Sequence, residues 1–362
     1  MGQYGPGVGN SEVNIVTTQL DPVLSGSPAS QPVSWQEALR RAVRNPGELC
    51  RAVGISGEFA AHAAAQTTAN ISAESFPVFA PWEYIARMRP GDPHDPLLRQ
   101  VLPVAEEMID TDGYSLDPVG DTAATVAPGL LHKYAGRALL IASGVCAVHC
   151  RYCFRRHFPY EAVQSDDDRS QEAITQIADD PSIHEVILSG GDPLMLVDDV
   201  LARLVGRLAK IGHVRRLRIH TRLPIVIPQR VTTELCEAIS DSRLTPVVVV
   251  HANHAAELDT GVAQAVAMLI QHGAMVLNQA VLLRGVNDHV DALAELSERL
   301  IDLRVVPYYL HQLDRVAGAA HFEVPIEQGR DLVEQLRQRL PGYAVPRYVQ
   351  EIAGAPYKTV LG

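Results

Sequence analysis

The chain has 362 residues, long enough to bury a large core as one domain or as a domain with an extension. Its 47% hydrophobic and 20% charged residues are ordinary for a globular protein, and its net charge of −11 argues against general nucleic-acid binding. No apolar run approaches the roughly 18–20 residues of a membrane span, and no basic region followed by an apolar core marks a signal peptide at the N-terminus.

Residues 1–30 are rich in Gly, Ser, Pro and Thr and read as a mobile or loosely docked N-terminal segment. Ser34 with Glu37 is a capping-box pair, and Trp35, Leu39 and Val43 recur at helical spacing, so a helix follows. Asn45-Pro46-Gly47 is expected to stop it, with a second helix over 48–65. Pro77, Pro81, Pro90, Pro93 and Pro96 cut the next stretch into short pieces. Within it, Asp95–Pro103 has no chemistry that its residues alone reveal. Residues 31–130 are read as a mostly helical N-terminal region, 131–340 as an α/β barrel domain, and 341–362 as a short C-terminal segment.

From about residue 135, apolar runs of strand length alternate with amphipathic helices. The expected strands are Ala138–Ala142, Glu185–Leu188, Leu217–His220, Pro246–Val250, Met275–Leu282 and Val305–Leu310. Val197, Val200, Leu201, Leu204, Val205 and Leu208 mark one intervening helix; Val290, Leu293, Leu296, Leu300 and Ile301 mark another. Continuous apolar strands separated by helices imply parallel pairing through βαβ units. Six units fit a partial (β/α)6 barrel, and a doubly wound sheet fits the periodicity almost as well.

Three of the five cysteines, Cys146, Cys150 and Cys153, follow the first of these strands. Their spacing is too tight for a disulfide framework and suits a reducing cytoplasm. Cys50 and Cys236 lie in helix-like stretches and are expected to be buried small side chains. A closed zinc or electron-transfer cluster site takes four ligands. Three thiolates on a [4Fe–4S] cluster leave one iron open for a small molecule. The alternative is a zinc site completed by His149 or His157.

In α/β barrels the reacting groups gather at the C-terminal ends of strands. There the second strand presents Ser189-Gly190-Gly191-Asp192, the third His220-Thr221-Arg222, the fourth His251-Ala252-Asn253-His254, and the fifth Asn278 and Gln279. Polar groups at one end of four strands read as one pocket. Lysine is scarce: Lys133, Lys210 and Lys358. Lys210 follows a helix and complements its dipole. Lys358 sits in Gly354-Ala355-Pro356-Tyr357-Lys358-Thr359, after a strand-like run over 343–352 that folds the tail back onto the body. A lysine held over a barrel mouth can form a Schiff base with an aldehyde cofactor.

Cys146, Cys150 and Cys153, with Tyr152 before the last, resemble the radical S-adenosylmethionine (SAM) superfamily, which implies the partial barrel. From about residue 75 onward the chain resembles the lysine 2,3-aminomutase family, which adds pyridoxal phosphate (PLP). The likeness runs through Asp95–Pro103, Cys146–Arg156, Leu188–Asp192, Arg218–Arg230, Asn278–Asp288, Pro307–Asp314 and Gly354–Thr359. The run 150–160 is similar to the bacterial branch that makes (R)-β-lysine for elongation factor P. The chain also stops four residues after Lys358, without the longer extension of the clostridial aminomutases, which fits that branch.

The resemblance implies conversion of L-lysine to (R)-β-lysine with a [4Fe–4S] cluster, SAM and PLP. Cys146, Cys150 and Cys153 would hold the cluster and Lys358 the PLP. Tyr134 and Arg137 would hold the PLP phosphate. Ser189, Gly190, Gly191, Asp192, His251 and Gln279 would line the cofactor sites. Arg155 would grip the substrate carboxylate. Asp314 and Glu351 would receive the lysine side-chain ammonium, Glu351 standing where the clostridial enzymes have aspartate. The resemblance also implies a cytoplasmic enzyme with a flavodoxin- or ferredoxin-type electron donor and a product handed to an elongation factor P ligase. It implies no nucleic-acid or membrane partner and allows a homo-oligomer. Two other readings stay open: another amino acid as substrate, and a radical SAM enzyme without PLP in which Lys358 is structural.

Overall fold

Ten strands, each hydrogen-bonded to its neighbours in sequence, form one sheet in the computed structural model, which describes residues 33–57, 76–163 and 167–362. β1 (Thr125–Ala127) and β2 (Leu130–Tyr134) pair antiparallel and lead into β3 (Arg137–Ser143). From β3 the pairing is parallel through β4 (Glu185–Gly190), β5 (Arg216–Thr221) and β6 (Thr245–Val250). It continues parallel through β7 (Met275–Val281), β8 (Val306–His311) and β9 (Arg347–Gln350). β10 (Thr359–Val360) returns antiparallel on β9. Among the described residues β1 and β10 do not pair, so the sheet is a partial barrel left open between its edges.

The six expected strands are present to within two residues, because each is an apolar run closed by polar or glycine residues. The sheet extends further than expected at both edges. β9 is a seventh parallel strand, reached through the helix Ile326–Arg339, and β1, β2 and β10 add antiparallel pairs. These additions are two to five residues long, too short for period-2 alternation to stand out.

The two helices foreseen from apolar spacing are Asp198–Ala209 and Val290–Asp302. The first buries Leu201, Leu204, Val205 and Leu208, with Val197 as its exposed N-cap. The second buries Leu293, Leu296 and Leu300. Lys210 is the C-cap of the first, as its position implied.

At the N-terminal side, Ser34 Oγ accepts from the Glu37 amide at 3.2 Å and starts the helix Trp35–Arg41. Asn45 does more than stop that helix. Its side chain accepts from the Glu48 amide at 3.1 Å and caps Pro46–Ala52, with Pro46 at the first position. That helix ends at Ala52, short of the expected 65. Residues 58–65 lie outside the described residues, as does the segment 1–30. Prolines confine Trp82–Ile85 and Pro96–Arg99 to single turns. These pieces still share the barrel's core: Trp35, Leu49, Tyr84 and Leu98 join one apolar cluster with Leu188, Ile219 and Val248. Cys50 and Cys236 are buried in it. Residues 34–362 form one compact unit.

Candidate active site

The cysteine loop leaves β3 and is locked by the turn after β4. The Gly191 amide donates to Ser143 O at 2.7 Å and the Asp192 amide to Val145 O at 2.8 Å. A Cβ at Gly190 would lie 2.5 Å from Ser143 O, and one at Gly191 2.3 Å from Val145 O. Both positions therefore require glycine for the two loops to touch. The other flank is fixed by Arg151, whose amide donates to Gln100 O at 2.8 Å and whose Nε donates to Glu107 at 2.8 Å. Arg156 meets the same carboxylate at 2.8 Å.

Cys146, Cys150 and Cys153 are half-buried free thiols, each close enough to feel the other two electrostatically. Burial, reinforced by Cys150, pushes the Cys153 thiol up to about 11. Among the described residues no three His, Cys, Asp or Glu side chains are grouped tightly enough for a single metal ion. Of the histidines of the zinc alternative, His149 Nδ1 sits 2.8 Å from Pro77 O and His157 Nε2 3.2 Å from Ala317 O, each contact using one of the two ring nitrogens. Three neighbouring thiols following one strand fit a cluster that leaves one iron open.

A chain of charges crosses the pocket from the cysteine loop to the C-terminal segment. Arg155 Nη1 donates to Ser189 Oγ at 3.1 Å and its Nε to Asp121 Oδ2 at 2.7 Å. Lys133 Nζ lies 2.6 Å from Asp121 Oδ1, an ion pair without hydrogen-bond alignment, and donates to Val119 O at 2.8 Å. It also donates to Glu351 Oε1 at 2.9 Å, while Lys358 Nζ donates to Glu351 Oε2. Burial alone would raise the Glu351 carboxyl, but Lys358 and Lys133 more than reverse it and hold it at about 2. Asp314 is the opposite case. Burial, with the Glu351 charge, pushes it up to about 7 against the pull of Lys358 and Lys133. Glu351 is thus within electrostatic reach of Arg155, Asp314 and Lys358. Asp121 and Lys133 complete the chain and were not foreseen as site residues. The scarcity of lysine, and the position of Lys133 beside Tyr134, was the one signal.

Tyr134 and Arg137 also meet here. The Arg137 guanidinium stacks 4.7 Å from the Tyr134 ring centre, and Glu351 lies beside the Tyr134 hydroxyl. No carboxylate pairs with Arg137 among the described residues, so its donors suit a phosphate. His220, His251 and His311 end β5, β6 and β8 with buried Nε2 atoms that have no partner. Burial holds all three neutral, His251 at about 3. Orphaned ring nitrogens along one wall fit the polar edges of a bound cofactor.

Several polar residues at the strand ends turn out to be structural. Asp192, expected to contact a cofactor, has its carboxylate engaged by the chain itself. It accepts from the Thr221 hydroxyl at 2.7 Å and from the amides of Leu194, Arg222 and Leu223 at 3.0, 2.7 and 3.1 Å. Asn278 closes on the Ala252 backbone at 2.9 and 3.0 Å, leaving Gln279, half-buried on the opposite face of β7, as the free neighbour. His254 accepts from the Ala256 amide as an N-cap, and Asn253 accepts from the Val281 amide. The pocket wall is narrower than four polar strand ends suggested.

Comparison with known proteins places this geometry. Residues 140–257 match the Radical SAM superfamily. The chain is 47% identical over 328 residues to the L-lysine 2,3-aminomutase of Escherichia coli, covering 90% of this chain and 94% of that protein. The chain belongs to the L-lysine 2,3-aminomutase family. The enzyme of that name from Haemophilus influenzae is 42% identical over 90% of this chain and 95% of its own length. That from Clostridium subterminale is 38% identical over 76% of this chain and 66% of its own length. Membership in the aminomutase family brings a [4Fe–4S] cluster, SAM and PLP, and makes this chain a radical SAM isomerase. No described helix is long and apolar enough to cross a membrane.

Proposed function

We propose that this aminomutase moves the α-amino group of L-lysine to the β-carbon, giving (R)-β-lysine. The observation that carries the reading is Glu351, which accepts from both Lys133 and Lys358, with the buried Asp314 within electrostatic reach of it. Two acids at the far end of the pocket suit an ammonium and would repel the side-chain carboxylate of glutamate.

Cys146, Cys150 and Cys153 would hold the cluster, with SAM against Ser189, Gly190, Gly191, His251 and Gln279. Lys358 would hold the PLP aldehyde, and Arg137 and Tyr134 its phosphate. When bound, these groups supply the radical that opens the Cβ–H bond and the conjugated ring that carries the migrating nitrogen. The protein's own residues orient and balance charge. Lys358 shares Glu351 with Lys133. With Lys358 committed to the cofactor, Glu351 keeps Lys133 and has an oxygen for the substrate ε-ammonium. An arriving cation also draws Asp314 into its charged form. Arg155 keeps its Nε on Asp121 and would exchange Ser189 for the substrate carboxylate. Neutral His220, His251 and His311 add hydrogen-bonding groups to the wall without repelling a cation.

The run at 150–160 supports the branch that supplies β-lysine to an elongation factor P ligase, with a reduced flavodoxin- or ferredoxin-type donor, in the cytoplasm. The test is anaerobic incubation with SAM, PLP, dithionite and each candidate amino acid, followed by chiral product analysis. (R)-β-lysine from L-lysine is expected. Glutamate turned over as fast as lysine refutes the reading.

A further inference from the structure

Of the three site cysteines, Cys150 alone has a cation bonded to its sulfur among the described residues: Arg222 Nη1 donates to Sγ at 2.7 Å. Arg222 ends the β5 segment and is fixed from several sides. Its amide donates to Asp192 Oδ2 at 2.7 Å. Its Nη2 donates to Glu257 Oε2 at 2.8 Å, Gln100 Oε1 at 2.7 Å and the Tyr84 hydroxyl at 3.2 Å. The rings of Tyr84 and Tyr152 flank the guanidinium at 5.4 and 5.7 Å.

Glu257 is fully buried, and its Oε1 accepts from the amides of Asn253 and His254 at 2.9 and 3.1 Å. Gln100 Nε2 adds a bond to the same oxygen at 3.2 Å. Gln100 belongs to the stretch Asp95–Pro103, whose purpose the sequence left unexplained. Asp95 caps its single turn by accepting from the Leu97 and Leu98 amides, both at 2.9 Å, which presents Gln100 to this network. A buried carboxylate–guanidinium pair is costly to desolvate, and here its outermost donor is spent on a sulfur.

We propose that Arg222 sets the reduction potential of the cluster through a charged N–H···S bond to Cys150, with Glu257 and Gln100 as the residues that position it. The proposal rests on Cys150 being a cluster ligand. Reduction adds negative charge to a cluster and its thiolates. A donor cation on one sulfur favours that added charge and raises the potential, and Glu257 behind it offsets the effect. Burial keeps salt from screening either charge. The two side chains therefore tune the centre in opposite directions.

The experiment compares wild type, Arg222→Gln, Arg222→Lys and Glu257→Gln after anaerobic reconstitution. Iron and sulfide are assayed, and the cluster midpoint is followed by EPR-monitored titration without SAM. The midpoint is expected to fall in Arg222→Gln, to lie between that value and wild type in Arg222→Lys, and to rise in Glu257→Gln. An unchanged midpoint in iron-replete Arg222→Gln, or shifts of the same sign in the arginine and glutamate variants, overturns the proposal. If Arg222→Gln takes up no iron, Arg222→Lys and Glu257→Gln decide it by the same sign rule. Full cluster content in Cys150→Ala overturns the ligand assignment itself, and this proposal with it.

Discussion

Lys133 and Glu351, 218 residues apart in sequence, meet at 2.9 Å. The contact ties the barrel's first strands to its C-terminal segment and leaves Glu351 between two ammonium groups. Both side chains are largely shielded, at 17% and 16% exposed. Lys133→Met would leave Asp121 and Glu351 each short of a cation. Asp121 keeps Arg155 and Glu351 keeps Lys358, so the expected loss is that of the lost charged hydrogen bonds, about 1–3 kcal/mol. Urea denaturation of the full chain measures it; a loss below about 1 kcal/mol would show that Lys133 is solvated and idle.

Asp314, pushed up to about 7, gives lysine recognition a pH dependence. The carboxylate needed for an ammonium forms as pH rises through about 7, so kcat/KM for lysine rises across that range in wild type. Asp314→Asn loses about 1–3 kcal/mol of recognition and flattens the rise. A wild-type profile with no inflection near neutrality refutes this.

Stability follows the same two acids with opposite signs. Glu351 is depressed to about 2, so it contributes stability above the unfolded glutamate value near 4.3 and loses it as pH falls toward 2. Asp314 is raised, so the folded chain binds the extra proton between about 4 and 7, and stability declines as pH rises through that window. Asp314→Asn should therefore be less destabilising at pH 8 than at pH 5, read from urea midpoints. The reverse order would mean that Asp314 is ionised at pH 5.

Lys358 is the expected PLP lysine. Borohydride reduction of the PLP-loaded protein, then peptide mass spectrometry, should find the pyridoxyl adduct there. An adduct on Lys133 would reverse the roles of the two lysines that flank Glu351.

Gly191→Ala tests the lock between the turn after β4 and the cysteine loop. The new methyl would lie 2.3 Å from Val145 O, a backbone atom that must shift. Iron uptake should fall several-fold, whereas Gly206→Ala, with nothing within 4 Å, should retain it and add about 0.5–1 kcal/mol to the helix. Equal iron content in the two variants removes the lock.

The strands and the cluster motif were legible because they are local: an apolar run, a glycine pair, a cysteine spacing. Polar function was less so. Asp192, Asn253 and Asn278 look like pocket residues in sequence, yet their side chains bond to backbone and side-chain groups of the chain itself, which no spacing distinguishes from free ones. Asp121 and Lys133 escaped notice because their partners, Arg155 and Glu351, are brought to them only by the folded sheet. Asn45-Pro46 read as a stop because a helix end and the next helix's cap use the same residues.

Because strand order in the sheet repeats chain order from β1 to β10, the barrel can be assembled by adding one neighbour at a time, with no strand inserted between two already paired. Such local pairing keeps loop-closure entropy low for a parallel sheet of this size. The line of charges from Arg155 to Lys358 behaves differently. It is completed only when β9 docks on β8 and brings Glu351 to Lys133. Wherever β9 is undocked, Lys133 lacks Glu351, so the docking of β9 completes the charged line and forms the sheet's final parallel seam together.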